Sequence, residues 1–348
     1  MSEPAGNRNL ILHGIHVLDG GLASELEYLG ARIDGPLWSA HVLEDEPEKV
    51  AAVYRAYIEA GAECIATCSY QVSRMGYAEF GLPPQRADAA LLKSVALART
   101  AAADFPHRRV VIAASLGPYG AALHNGAEYH GNYACSYEKL VEFHRQRIRV
   151  LAEPYRESPA LKGTGFSPYI TAMESKGPSG PEGSLSAARP TGPNAPDLLA
   201  FETLPSLAEA QAIGEALAPW PELPAWFSFT CRDAHHVAHG EPLSACAAAV
   251  AQFPQTVAIG VNCIHPSLVP AMIAELRAAS GKPILVYPNS GEGWDAARRR
   301  WIGDSDPAAY GAMASEWFAA GAQIVGGCCR TRPAHIRQVA QAATGATL

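Results

Sequence analysis

The chain has 348 residues, of which 48% are hydrophobic and 18% charged, and its formal net charge at pH 7 is -7. An acidic chain with a pI near 5.9 argues against nucleic acid or an anionic membrane surface as the main partner. No apolar run approaches the roughly 18 residues of a transmembrane helix. Residues 1–9 are polar and lack the apolar core of a signal peptide, so we expect a cytoplasmic protein. In a reducing compartment its eight cysteines would be thiols or metal ligands.

Short apolar runs, rich in β-branched residues, alternate along the chain with longer runs of helical periodicity. The runs that predict strands are Ile15–Leu18, Cys64–Thr67, Val110–Ala114, Leu198–Phe201, Trp226–Phe229, Val257–Val261, Ile284–Tyr287 and Gln323–Val325. The runs that predict helices are Pro47–Ala60, Gln85–Ala103, Tyr137–Ala152, Leu207–Leu217, Leu243–Gln252, Ser267–Ala279, Pro307–Ala319 and Pro333–Ala343. Eight strands, each followed by a helical stretch, predict an α/β fold of the (β/α)8 TIM-barrel type.

The segment 155–196 interrupts this alternation, because it is dense in glycine, proline and serine and has little apolar periodicity. We interpret it as a long flexible insertion before the fourth strand. It falls in a helix-to-strand connection, at the end of the barrel opposite the carboxyl ends of the strands. The alternative is a boundary between two smaller domains, but neither half has enough strands to close a barrel. We therefore predict one barrel domain over residues 1–348, with the insertion inside it.

Two adjacent cysteines, Cys328 and Cys329, follow the last predicted strand, and Cys263 follows the sixth. Because the backbone turns at a strand end, both sulfurs of the pair can point into one cavity. Three thiolates select zinc over magnesium or calcium and leave a tetrahedral ion one position short, which is typical of a catalytic zinc. The alternative is that these small side chains fill the barrel core. The glycines before the pair, and the same strand-end position of the third cysteine, favour the metal site.

Polar residues also end the other predicted strands, and the carboxyl ends of barrel strands meet at one mouth. Asp19 ends the first strand, directly before Gly20 and Gly21, and Glu202 ends the fourth. Two carboxylates beside backbone N–H groups could hold the ammonium and the carboxylate of an amino acid. Asp19 could instead cap the helix predicted from Leu22, because aspartate is a common N-cap residue.

A zinc ion held by three thiolates carries a net negative formal charge and is a poor Lewis acid for activating water. It is suited to binding a fourth thiol and keeping it as a nucleophilic thiolate at neutral pH. With an amino-acid site beside it, such a centre predicts alkyl transfer to the sulfur of an amino-acid thiol.

Several motifs resemble those of the zinc-dependent homocysteine S-methyltransferases, and together they cover nearly the whole chain apart from the insertion. They are Leu18-Asp19-Gly20-Gly21, Pro36-Leu37-Trp38-Ser39-Ala40, Thr67-Cys68-Ser69-Tyr70-Gln71, Gly117-Pro118-Tyr119-Gly120, Phe201-Glu202-Thr203-Leu204-Pro205, Trp226-Phe227-Ser228-Phe229-Thr230, Gly260-Val261-Asn262-Cys263, Tyr287-Pro288-Asn289-Ser290-Gly291-Glu292 and Gly326-Gly327-Cys328-Cys329-Arg330-Thr331. The resemblance implies three zinc ligands: Cys263, Cys328 and Cys329. Cys68 departs from the family pattern, which has no ligand at that position.

The resemblance also implies how the substrates bind. Asp19 and Glu202 would bind the homocysteine ammonium, and the amides of Gly20 and Gly21 its carboxylate. A cationic methyl donor would meet aromatic residues in loops at the mouth, where each face can contribute about 0.5–2 kcal/mol. The aromatic residues are Trp38, Tyr70 and Tyr119, and Asn289 completes the expected substrate contacts. Trp38 could instead pack in the core.

All candidate donors are cations: S-methylmethionine and S-adenosylmethionine are sulfoniums, and betaine is a quaternary ammonium. The stretches Trp226–Thr230 and Tyr287–Glu292 resemble the sulfonium-using branch. The sequence has no glycine-rich βα motif with a following ribose-binding acid, which favours S-methylmethionine over S-adenosylmethionine. Methionine would be the product. The alternatives are a betaine–homocysteine or selenocysteine-type methyltransferase, and a non-catalytic zinc- or thiol-binding barrel.

Overall fold

The computed structural model describes residues 11–33, 39–156, 192–295, 300–303 and 305–346. Its strands are β1 Cys64–Ala66, β2 Val111–Leu116, β3 Leu198–Leu204, β4 Ala225–Phe229, β5 Thr256–Asn262, β6 Ile284–Tyr287, β7 Gly293–Asp295, β8 Arg300–Ile302 and β9 Ile324–Val325. Its helices are α1 Leu22–Tyr28, α2 Ser39–Asp45, α3 Pro47–Ala60, α4 Arg74–Glu79, α5 Pro84–Ala103, α6 Tyr137–Arg156, α7 Leu207–Leu217, α8 Leu243–Ala251, α9 Val269–Ala279, α10 Pro307–Ala320 and α11 Pro333–Gly345. Among these helices, none has the length and hydropathy needed to span a membrane.

Seven strands form one parallel sheet in the order β1-β2-β3-β4-β5-β6-β9. The segment Ile15–Leu18 joins the two edges of this sheet, because Val17 pairs with Val325 of β9 and Leu18 pairs with Cys64 of β1, both in parallel. The segment is too short to form a regular strand, but it takes the eighth place. The predicted (β/α)8 barrel is therefore confirmed, with its first strand reduced to one bridge on each side.

The barrel strands are apolar along their length because both of their faces are buried, as in parallel sheets covered by helices. Every residue of β2, β3 and β5 is buried. Alternate side chains divide between two cores: Val111 and Ala113 point into the barrel, whereas Ile112 and Ala114 pack against the surrounding helices. The inner core is completed by bulky residues such as Trp226. This alternation decides which side chains reach the mouth.

The other predicted strands and helices are confirmed, with ends that shift by a few residues. The largest shift in a strand is in β3, which continues beyond the predicted end at Phe201 to Leu204. The structure adds short elements that the sequence analysis did not predict: the helices α2 and α4 and the antiparallel hairpin β7–β8. All three lie in connections between barrel elements, and elements this short carry too little periodicity to be recognised.

The predicted insertion lies largely outside the described residues, which exclude 157–191. Its two flanks are fixed to the barrel. The Tyr155 hydroxyl donates to the Pro196 carbonyl at 2.5 Å, and the Arg99 guanidinium binds the Asp197 carboxylate at 2.8 Å. Because β3 begins directly after Asp197, these anchors lie at the amino ends of the strands, opposite the mouth.

Candidate metal centre

Three cysteine side chains meet where β5 and β9 end. Cys263 Sγ lies 2.6 Å from Cys328 Sγ and 3.8 Å from Cys329 Sγ. A tetrahedral zinc with Zn–S bonds of about 2.3 Å requires sulfur separations of about 3.8 Å, so the closer pair would have to separate by about 1 Å. Within the part of the chain that the structure describes, no other group of three His, Cys, Asp or Glu side chains could hold a metal ion. The predicted cluster is therefore assembled, and its donor set fits a soft metal ion.

Unusual backbone conformations direct the loops around the sulfurs. Thr203, Cys263 and Arg330 have positive φ values of 57°, 53° and 66°. Such values are uncommon for residues other than glycine, and they persist at functional sites only where the surroundings hold them. Part of that support comes from Asn289, whose Oδ1 accepts a hydrogen bond from the Cys329 N–H at 3.1 Å.

Asn262, the last residue of β5, is buried and connects the strand ends. Its Oδ1 accepts hydrogen bonds from the Thr203 N–H at 2.8 Å and from the Ser228 hydroxyl at 2.7 Å. Its Nδ2 donates to Thr203 Oγ1 at 2.8 Å and lies 4.0 Å from Cys328 Sγ. One side chain thus fixes the strained Thr203 and lies behind a candidate ligand, a position from which residues tune metal affinity.

The loop that carries Cys328 and Cys329 packs against the loop that follows Ile15–Leu18. The Gly21 N–H donates to Thr331 Oγ1 at 3.0 Å, and the Thr331 hydroxyl donates to the Cys328 carbonyl at 2.7 Å. A Cβ atom on Gly21 would lie 2.4 Å from the Cys328 carbonyl oxygen, so only glycine fits there. The Gly21 amide, which we expected to bind a substrate carboxylate, therefore has a protein partner in this structure.

The alternative role of Asp19 as a helix cap is wrong. The helix that begins at Leu22 has Gly21 as its N-cap residue, and no side chain caps it. The loop is held instead by Tyr57, whose hydroxyl lies 3.0 Å from the Gly21 carbonyl and 3.1 Å from the Thr331 carbonyl. The Asp19 carboxylate is bonded instead to the backbone of Ala66, the last residue of β1.

Asp19 and Glu202 are both buried, 5% and 8% exposed. Asp19 Oδ2 accepts from the Ala66 N–H at 2.9 Å, and Glu202 Oε2 accepts from the Ser115 hydroxyl at 2.5 Å. Burial raises the pKa of Asp19 well above its usual value, and the charge of Glu202 adds to the effect. Burial also raises the pKa of Glu202, to about 7. The ionised forms of both carboxyl groups are therefore disfavoured, and a bound ammonium beside them would stabilise those forms.

Of the predicted aromatic residues, Tyr70 lies near the cysteines. Burial raises its pKa, and the negative charge of Cys263 contributes to the rise. Tyr119 packs in the hydrophobic core, with its ring centroid 5.4 Å from that of Tyr133 and 5.2 Å from that of Phe143. Tyr70 and Tyr119, which we expected to contact the donor together, therefore lie in different surroundings. Tyr119 is in the hydrophobic core, whereas Tyr70 is near Cys263.

The remaining predicted residues have different outcomes. Trp38 lies outside the described residues. The side-chain carbonyl of Asn289 accepts a hydrogen bond from the Cys329 N–H, so Asn289 positions the loop that carries Cys328 and Cys329. Cys68 is buried in the core, and its backbone N–H donates to the Tyr54 hydroxyl at 2.6 Å. As expected, Cys68 is not part of the group of three sulfurs.

The sequence analysis did not assign roles to several polar residues at the mouth. Ser115, Ser228 and Asn262 are buried at strand ends, each on the inward-facing side of its strand. A signal for them was present, because each continues the alternation of its strand, as Ser115 does after Val111 and Ala113. Counting inward positions to the end of each strand would have identified all three.

Two further residues, Glu128 and Tyr129, lie on a 3-10 turn in the loop after β2. The charge of Cys263, and then that of Cys329, raises the pKa of Tyr129. Tyr129 is 52% exposed, and the turn that carries it contacts β3, the strand that carries Glu202. No strand-end rule could have identified these residues, because the loop brings them back to the mouth 12 or so positions after β2 ends.

The fold and the site together define a (β/α)8 barrel with a group of three cysteines at its mouth that could hold a metal ion. The family model for homocysteine S-methyltransferase matches residues 16–158 and 190–343. The chain belongs to the homocysteine S-methyltransferase family, and it is therefore a methyltransferase. The residues that the family match leaves out, 159–189, fall within the predicted insertion.

Curated relatives and a solved structure agree with this assignment. The chain is 38% identical to homocysteine S-methyltransferase YbgG of Bacillus subtilis over 93% of each chain. It is 34% identical to selenocysteine Se-methyltransferase of Brassica oleracea var. italica, over 94% of this chain and 88% of the relative. Its structure is similar to the metallated form of the homocysteine methyltransferase MmuM from Escherichia coli, with a TM-score of 0.73 and 36% identity, covering 95% of this chain and 99% of MmuM.

Proposed function

We propose that this enzyme transfers a methyl group from a sulfonium donor to the sulfur of homocysteine and so forms methionine. The preferred donor in this proposal is S-methylmethionine, with S-adenosylmethionine second, and the metal is zinc. The observation that carries the proposal is the meeting of three cysteine sulfurs and two buried carboxylates at one barrel mouth. We expect the enzyme to act in the cytoplasm on small molecules, with neither nucleic acid nor membrane as a partner.

Cys263, Cys328 and Cys329 would hold the zinc. When bound, the ion would supply a fourth coordination site where the homocysteine thiol is held as a thiolate at neutral pH. Asn289 accepts a hydrogen bond from the Cys329 N–H, and Asn262, which precedes Cys263, accepts one from the Thr203 N–H, so both residues would hold the backbone beside the ligands.

Asp19 and Glu202 would bind the homocysteine ammonium. Their pKa values are raised mainly by burial, so a cation between them restores both ionised forms. Ala66 and Ser115 keep the two carboxylates in place by donating hydrogen bonds. The Gly20 amide would bind the substrate carboxylate, and Gly21 could join it only by releasing Thr331.

In the transfer, a lone pair on the homocysteine sulfur forms the new bond to the methyl carbon. The bond from that carbon to the sulfonium sulfur breaks, and its electron pair stays on the leaving sulfur, which becomes a neutral thioether. The thiol proton is released to solvent before this step. With S-methylmethionine, both products are methionine. Alignment of the two sulfurs with the methyl group supplies much of the rate, and the chain contributes it by fixing both substrates.

Initial rates test the proposal directly. Purified, zinc-loaded enzyme is assayed with homocysteine and with S-methylmethionine, S-adenosylmethionine or betaine in turn, and we expect the highest kcat/KM with S-methylmethionine. A preference for S-adenosylmethionine would reverse the order of the sulfoniums, and a preference for betaine would reject a sulfonium donor. If no donor methylates homocysteine although zinc is bound, the non-catalytic barrel is the better description.

Selenocysteine is a second candidate acceptor, because a relative 34% identical to this chain is named a selenocysteine Se-methyltransferase. A selenolate would occupy the same position as the homocysteine thiolate. Competition between the two acceptors in one assay separates the candidates, and we expect homocysteine to have the higher kcat/KM.

A further inference from the structure

We propose that Glu128 recognises the positive charge of the methyl donor and, with the rings of Tyr70 and Tyr129, forms the donor subsite. This inference rests on the proposed function, since it identifies a determinant of donor specificity for that reaction.

The backbone of Glu128 is closely packed, whereas one oxygen of its carboxylate has no hydrogen-bond partner among the described residues. It lies in the 3-10 turn Ala127–Tyr129, at the mouth end of the barrel. A Cβ atom on Gly120 would lie 2.4 Å from the Glu128 backbone nitrogen, so the turn packs closely against the preceding loop. Glu128 Oε2 is buried and has no hydrogen-bond partner within the described part of the chain. Buried polar atoms of this kind usually have a partner, so this one indicates a missing ligand.

The surroundings of Glu128 are those of the metal centre. Burial and then the charge of Glu128 raise the pKa of Tyr70. The charge of Cys263, and then that of Cys329, raises the pKa of Tyr129, and Glu128 adds to the rise. Packing contacts place these residues at the carboxyl ends of the strands. The turn contacts β3, and a Cβ atom on Gly131, two residues after the turn, would lie 3.2 Å from Pro205 Cβ, directly after β3. A Cβ atom on Gly117, directly after β2, would lie 2.8 Å from Tyr70 Cε2. A methyl donor must lie there, because its methyl group has to reach the sulfur of the acceptor.

The charges of this region select the donor. A carboxylate oxygen that is buried without a partner is unfavourable, as Glu128 Oε2 is, and a cation beside it would relieve the cost. Aromatic faces stabilise a sulfonium further. Betaine brings a carboxylate of its own, which Glu128 would repel, whereas a sulfonium amino acid carries a net positive charge. The donor still carries part of its positive charge in the transition state, so Glu128 stabilises the bound donor and the transition state to a similar degree. Its contribution should therefore be seen in the KM for the donor rather than in kcat.

The test is Glu128→Gln, which keeps the shape of the side chain and removes its charge. We expect the KM for S-methylmethionine to rise about tenfold, the loss typical of one charged contact. The KM for homocysteine, the zinc content and kcat should stay within about twofold. The matched control is Glu138→Gln, which removes an equal charge from an exposed position outside the mouth and should leave the KM for the donor unchanged.

An uncharged isostere of the donor separates charge recognition from packing. In 2-amino-5-methylhexanoate a CH group replaces the sulfonium sulfur, and we expect its inhibition constant against the donor to be equal in the wild type and in Glu128→Gln. Equal weakening of the isostere and the sulfonium would show a packing role and overturn the proposal. An unchanged KM for the donor in Glu128→Gln would also overturn it.

Glu128→Asp covers the case in which the Gln variant does not fold. It retains the charge and should retain most of the affinity for the donor, and its failure to do so in a folded protein would contradict the proposal. If the wild type methylates no homocysteine, the proposed function fails by itself. Calorimetric binding of S-methylmethionine to the zinc-loaded wild type and variants would still decide the role of Glu128.

Discussion

At the scale of single residues, hydrogen bonds from side chains stabilise unfavourable backbone conformations around the mouth. Three of the four non-glycine residues with positive φ among the described residues lie near the end of β3 or in the loops after β5 and β9: Thr203, Cys263 and Arg330. The Asn262 side chain forms hydrogen bonds with both the N–H and the hydroxyl of Thr203. The Arg330 N–H donates to Ser24 Oγ at 2.8 Å. These hydrogen bonds hold the backbone around the three cysteines, whereas the closer pair of sulfurs must still separate by about 1 Å to bind zinc.

Replacing Cys263 by Ser tests the metal ligands. A hard hydroxyl is a poor substitute for a thiolate, so we expect the variant to lose zinc while its fold is retained. Activity should fall more than about a hundredfold, since even residues behind the ligands cost 10–100-fold. Metal analysis, circular dichroism and kcat/KM measure these effects, with Cys135→Ser as the control because Cys135 lies outside the cluster. One zinc per chain together with full activity in the Cys263 variant would contradict the assignment.

The sequence sufficed for residues that directly follow a strand, such as Cys263 and Glu202, because barrel topology alone places them at the mouth. It did not suffice for residues whose position depends on how a loop folds. Tyr119 follows β2 closely, yet its ring packs into the core, whereas the more distant Tyr129 returns to the mouth. Such differences come from packing between loop and helix, which no local pattern records.

At the scale of secondary-structure elements, helix α6 fixes the loop after β2 through a buried polar network. His144 Nε2 lies 2.9 Å from Glu209 Oε1, and the Tyr133 hydroxyl donates to Glu209 Oε2 at 2.8 Å. Arg147 of the same helix donates to the Gly117 carbonyl at 2.8 Å. The loop that carries Glu128 is therefore attached to the barrel by charged groups of α6 and α7.

This network predicts a dependence of stability on pH. Burial lowers the pKa of His144 to about 4, whereas an unfolded histidine has a pKa of about 6.5. Between these values the unfolded chain binds more protons, so the contribution of His144 to stability is present above pH 6.5 and is lost as the pH falls toward 4.

His144→Gln keeps an N–H donor for Glu209 and cannot titrate. We expect the free energy of unfolding to decrease less steeply in this variant than in the wild type between about pH 6.5 and 4. Urea unfolding across that range measures both slopes, and His235→Gln is the control because His235 is exposed. Equal slopes in His144→Gln and the wild type would show that His144 does not titrate with folding.

The elements themselves were predictable because buried parallel strands are continuous apolar runs and amphipathic helices have a strong period. Two helices, Pro47–Ala60 and Leu207–Leu217, have the predicted bounds. In both, the sequence contains the end signals, such as Ser206, whose hydroxyl caps the second helix by accepting from the Glu209 N–H at 3.2 Å. Elements such as β7–β8 depend on pairing between two short segments, which periodicity does not reveal.

At the scale of the whole molecule, the barrel should fold and function without the insertion. The family match leaves out residues 159–189, and the flanks are held by Tyr155 and Asp197. Replacing residues 159–189 with a short Gly/Ser linker should leave kcat/KM within about twofold, because loop-closure entropy changes slowly with length. A shortened protein that is folded but inactive would show that the insertion takes part in the reaction.

A longer deletion that also removes Asp197 is the matched comparison. Asp197 Oδ2 accepts from the Ile112 N–H at 2.7 Å and binds Arg99, so this deletion leaves a buried N–H without a partner. We expect a loss of about 1–3 kcal/mol or more in the free energy of unfolding, measured by urea unfolding.

The closure of the barrel has a consequence for its synthesis. Gly21 and Thr331, which bond across the mouth, are 310 positions apart in the sequence. One side of the mouth therefore leaves the ribosome 310 positions before the other. Contacts of such long range require the intervening chain to be in place. A chain that terminates before Cys328 has neither the group of three cysteines nor the closed barrel, so we expect an inert fragment rather than a partly active one.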